Sequence, residues 1–138
     1  MAVGLRVGSI VSEVGTADFL HAFFSTISRH LEPEGWGSRY PRLMKDLYHG
    51  KIKAGHAREA LREVAEIREQ LKAFAPDQVV WDIDHPAARP PWGDDISAEI
   101  TDLSNYFVTS TGRDLIGMLV ECLEFLEQQG GEMTVEKY

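Results

Sequence analysis

VGLRVGSIVSEVG (residues 3–15) decides how the chain begins. Val3, Leu5, Val7 and Val11 alternate with Gly4, Arg6, Gly8 and Ser12, and Ile10 falls out of phase. A period of two puts successive side chains on opposite faces, which predicts one strand closed by Gly15. Thr16 or Asp18 can then cap a helix, because each offers an oxygen to the free N–H groups of its first turn. In TADFLHAFFSTISRHLE (16–32), Phe19, Leu20, Phe23, Phe24, Ile27 and Leu31 recur at helical spacing, and Pro33 and Gly35 stop the run.

A second helix is predicted from Ser38, with Pro41 in its first turn, Leu43, Met44, Leu47 and Tyr48 as its apolar stripe, and Gly50 as its cap. The third runs from Ala57 to Phe74, with Glu59, Arg62 and Glu63 read as its solvated face. After Pro76 the period changes. VVWDI (79–83) and NYFVTS (105–110) are β-branched and aromatic and read as strands. Thr111 and Asp114 resemble a capping box for a last helix bearing Leu115, Leu119, Cys122, Leu123 and Leu126. Gly130 and Gly131 end it, and MTVEK (133–137) reads as a final strand.

The order β-α-α-α-β-β-α-β predicts a single α+β domain over residues 1–138, a small, mostly antiparallel sheet packed against about four helices. Folded, a 15.5 kDa chain should expose roughly 7,000 Å². One cysteine, Cys122, allows no internal disulfide and no cysteine zinc site, and it reads as a small buried hydrophobe. The opening residues lack the pattern of a signal peptide, and no apolar run approaches ~20 residues, so a cytoplasmic protein without a membrane partner is expected.

The net charge of −8 is uneven. From Phe74 to Gly112 there are seven acids and one base, Arg89. That balance repels phosphate and attracts basic surfaces, which argues against a nucleic-acid partner. Within it, RPPWGDDISAEITDL (89–103) joins a stiffened Pro-Pro step to Trp92, Asp94, Asp95 and Glu99.

The search for a reaction centre ends without a specific constellation. No G-x-S-x-G occurs, none of the five histidines forms a zinc motif, and Ser110-Thr111-Gly112 lacks the glycines and lysine of a phosphate loop. Asp82 and Asp84, two apart on the predicted strand, could join Asp94 and Asp95 in a metal-dependent hydrolase, with His85 nearby. This is the alternative reading, and its spacing matches no recognised ligand set. No metal and no cofactor are therefore assigned. His30 reads as a helix C-terminal residue, His21 as a core-edge residue and Trp81 as core.

FLHAFFSTI (19–27), LEPEGWGSRYPRLMKDLYHG (31–50), VVWDI and PPWGDDISAEITDLSNYFVTSTGRDL (90–115) resemble the immunity 70 family. Its members are bacterial proteins found beside polymorphic toxins, including those of contact-dependent growth inhibition. The resemblance implies a cytoplasmic, non-enzymatic antidote that binds a cognate toxin domain. Many such toxins are nucleases with basic clefts, which an acidic inhibitor would complement. The residues expected at the contact are Trp36, Asp82, Asp84, Trp92, Asp94, Asp95 and Glu99. Self-association is left open.

Overall fold

The computed structural model describes residues 2–93 and 95–137. It exposes 7303 Å², close to the surface expected of one compact unit of this mass. Two strands, β1 (Ala2–Val7) and β2 (Ile10–Thr16), open the chain, followed by helix α1 (Ala17–Leu31). A π-helical segment (Arg42–Leu47) leads to the short β3 (Lys51–Lys53). Helices α2 (Ala57–Leu71) and α3 (Leu115–Gln129) flank a long connection, and β4 (Glu132–Lys137) closes the chain. The sheet is antiparallel throughout, in the order β2-β1-β4-β3. The α+β class and the four-stranded sheet agree with the sequence reading; the places of two strands do not.

The single opening strand is a hairpin. Val7 pairs with Ile10 across Gly8-Ser9, and Gly8 takes φ 61, a left-handed value that only glycine adopts without cost. That turn explains why Ile10 broke the alternation. Near the far end the register shifts between Val3 and Gly4, where Gly4 faces Glu13 and Val3 faces Gly15. Val14 is the extra residue of this bulge, and it is fully buried.

Val3, Leu5, Val7, Ile52 and Met133 point to the helices and are buried, whereas Arg6, Lys51, Lys53 and Glu132 are exposed on the opposite face. That outer face is laced by Arg6–Glu136 and Lys51–Glu132 ion pairs. Helices α1 and α3 contact the sheet, and α2 packs against α3, α1 and the π-helical segment. Thr16 is the cap of α1, accepting from the Phe19 N–H at 3.1 Å. Asp114, not Thr111, caps α3, accepting from the Gly117 N–H at 2.9 Å.

Residues 79–83 and 105–110 are irregular, with bends and turns, and neither is a strand of the sheet. The backbone of Val80 is satisfied by one side chain: Thr26 Oγ1 accepts from its N–H at 3.0 Å and donates to its carbonyl at 3.2 Å. Ser25 Oγ accepts from the Ile83 N–H at 3.2 Å. Both hydroxyls lie fully buried on α1. Residues 105–110 fold back on 113–115, with Leu115 N–H donating to Phe107 and a single bridge between Val108 and Asp114, and Ser110 N–H donates to the Val14 carbonyl of β2 at 3.0 Å. Among the described residues no helix is long and apolar enough to cross a membrane.

Candidate functional site

Two buried carboxylates shape the segment 36–43. Glu32, 3% exposed, accepts from the N–H groups of Gly37, Arg39 and Tyr40, each at 3.0 Å. Glu63 accepts from those of Arg42 at 3.1 Å and Leu43 at 2.9 Å. Ser38 N–H donates to Gly35, and Pro41 has no N–H, so every backbone donor from 37 to 43 is accounted for. Gly37 holds φ 77, and a Cβ there would press into the Lys45 side chain. Glu63 thus does not belong to the solvated face of α2. Burial pushes its carboxyl above the ordinary range, against the two N–H groups that pull it down.

This framework presents Trp36. Its Nε1 donates to the Met44 carbonyl at 2.6 Å, and its ring stacks on His21 at 6.2 Å and meets Tyr48 edge-on at 4.8 Å. His21 lies between two oxygens. Asp82 Oδ1 is 3.3 Å from its Nε2, and the Tyr48 hydroxyl is 3.2 Å from its Nδ1. An ionised carboxylate only accepts, so Nε2 donates to Asp82, and in the Nε2–H tautomer Nδ1 accepts from the Tyr48 hydroxyl. Asp82 also accepts from the Asp84 N–H at 3.0 Å and from His85 Nδ1 at 3.1 Å. These contacts hold its carboxyl below the usual aspartate range, chiefly through the Asp84 N–H.

The loop beyond is fastened by aromatic contacts. Trp92 Nε1 donates to the Tyr106 hydroxyl at 2.9 Å, and its ring meets Trp81 edge-on at 5.3 Å. Trp92 remains 38% exposed. Trp81 is half-buried, packed against the core rather than inside it. Phe19, Trp92, Ile96, Ile100 and Tyr106 line a shallow hollow of about 240 Å³ with Asp95 among its walls.

A family model, Immunity protein 70, matches residues 5–135. The chain belongs to the immunity protein 70 family. No curated protein and no solved structure matches it.

In this immunity-family chain, Trp36, Asp82 and Asp84 meet around His21, while Trp92 and Asp95 meet around the hollow. Trp81 connects the two groups through its contact with Trp92 and its place beside Asp82. Asp94 lies outside the described residues. The four-carboxylate set of the hydrolase reading is not gathered: Asp82 and Asp84 converge with His21, and Asp95 is not among them. Sequence reasoning missed His21 and Tyr48 as partners of Asp82. The only local signal was a histidine placed among phenylalanines on α1.

Charge separates the loop from the rest of the immunity-family fold. Every Lys or Arg ion pair among the described residues takes its carboxylate from outside 74–112. Asp77, Asp84, Asp95 and Glu99 are exposed. Cys122 is half-buried, and that burial pushes its thiol up from the ordinary cysteine range.

Proposed function

We infer that this immunity-family protein neutralises a cognate bacterial toxin domain by binding it through the acidic loop 82–99, without chemistry of its own. The observation that carries the reading is the distribution of ion pairs. Elsewhere nine carboxylates are matched by Lys or Arg; along the loop Asp84, Asp95 and Glu99 stand without such partners among the described residues. Unmatched negative charge on a braced surface raises the encounter rate with a basic partner and penalises acidic ones.

Bracing supports the same reading. Pro90-Pro91 restricts the backbone, and Trp92 ties the loop to Tyr106 and Trp81, so little further order has to be imposed on binding. The exposed part of Trp92 and the adjoining hollow offer an apolar seat beside Asp95, suited to the stem and guanidinium of an arginine. Asp82 is committed to His21 and His85 and serves the loop's shape rather than the partner. A nuclease domain with a basic cleft is the partner this surface fits best, and the bacterial cytoplasm is where the two would meet.

The test is co-expression with the toxin domain encoded beside the gene. Copurification of the two chains and rescue of growth are expected. Absence of a complex, with both chains folded, would refute the reading.

A further inference from the structure

We propose that His21, Asp82 and Asp84 form a site for a zinc-class divalent cation that clamps the loop to helix α1. One ligand atom from each of the three lies within 4.8 Å of the others. The residues come from two parts of the chain, α1 and residues 82–84, so the grouping is a product of the fold. The His21 Nε2 to Asp82 Oδ1 separation is 3.3 Å. Two ligands each about 2.0–2.1 Å from a tetrahedral zinc stand roughly 3.3 Å apart. His85 Nδ1 is 3.1 Å from Asp82 Oδ2 but lies outside the set of three, which leaves the remaining position to water.

Access and support are both present. His21 and Asp82 side chains are 25% and 30% exposed, and Asp84 is exposed, so a hydrated ion can reach them. Behind the ring, the Tyr48 hydroxyl sits 3.2 Å from Nδ1 and Trp36 stacks on its face. An outer partner on the second nitrogen is what fixes the tautomer of a metal-binding histidine. The hydroxyl can serve both states. Without metal it donates to Nδ1 while Nε2–H donates to Asp82. With metal on Nε2 the proton moves to Nδ1 and donates to the tyrosine oxygen. The imidazole donor favours zinc and its neighbours over magnesium or calcium, which prefer oxygen alone. Sequence spacing could not show this set, because His21 and Asp82 are distant along the chain.

The inference does not rest on toxin binding. Its test is calorimetry of the full chain, free of any histidine tag, titrated with zinc chloride and separately with magnesium chloride. One zinc per chain with a micromolar or tighter Kd is expected, with no saturable magnesium binding. Asp84→Asn, at a side chain with no hydrogen bond or ion pair among the described residues, and His21→Gln should each weaken zinc at least about tenfold, and Tyr48→Phe should weaken it by roughly 10-fold. Circular dichroism without metal verifies that each variant is folded. Nitrogen-15 spectra of His21 should pass from the Nε2–H to the Nδ1–H form as zinc is added. No saturable zinc binding, equal affinity for magnesium, or zinc binding undiminished in folded Asp84→Asn would overturn the site.

Discussion

Replacing Glu32 by glutamine isolates the framework under Trp36 and Tyr40. The carboxylate accepts three backbone N–H groups at 3.0 Å in a place 3% exposed to water. Glutamine keeps the volume but turns one oxygen into an NH2 donor. In its better orientation the remaining oxygen serves Arg39 and Tyr40, and Gly37 N–H faces another donor. One orphaned buried donor costs about 1–3 kcal/mol, and the two surviving bonds each lose charge assistance worth about 1 kcal/mol. The loss is therefore about 3–5 kcal/mol. For this chain the entropy of unfolding is ~0.3 kcal/mol/K, so the melting temperature should fall by about 10–17 °C. Urea unfolding followed by tryptophan fluorescence measures the free energy, and scanning calorimetry the temperature. A loss below about 1 kcal/mol would mean that water already satisfies these donors, and the argument that Glu32 organises the segment would fail.

Thr26→Val should cost about 1–3 kcal/mol in urea unfolding, since it strips Val80 of both partners at nearly constant volume; a change within about 0.5 kcal/mol, the range of ordinary surface substitutions, would contradict it. Glu63 should titrate above the ordinary glutamate range in carbon-13 NMR. Because the ionised form carries the burial cost, this residue's contribution to stability is full below the unfolded value near 4.5 and is lost as pH rises through the elevated folded value. A midpoint at or below 4.5 would reverse that sign. Gly8→Ala should lower stability by about 1–2 kcal/mol through the left-handed backbone of the hairpin turn; an unchanged unfolding midpoint would mean that the turn relaxes freely.

Periodicity made the helices legible. The predicted 16–32, 57–74 and final runs correspond to α1, α2 and α3, because an apolar stripe at 3.6-residue spacing has one economical burial. Strands were harder. Gly8-Ser9 between alternating residues was a hairpin signal, overlooked because Ile10 passed for an exception. The strand β3 has three residues, too few for any period to register. VVWDI has strand composition, but composition does not say who pairs with its backbone; buried hydroxyls on α1 do so here. The same holds for the site. The acidic loop and its tryptophans were visible as local composition. The burial of Glu32 and Glu63, and the approach of His21 to Asp82, arise from contacts between distant segments.

The proposed toxin contact is the acidic loop 82–99. The direct measurement is the stopped-flow association rate of Asp95→Lys/Glu99→Lys against wild type across a series of salt concentrations. The rate should fall on the order of tenfold at low ionic strength, and the two proteins should converge near 1 M salt, where charges are screened beyond ~3 Å. Equal rates and equal salt slopes at every concentration would contradict the account and place the interface elsewhere on the molecule.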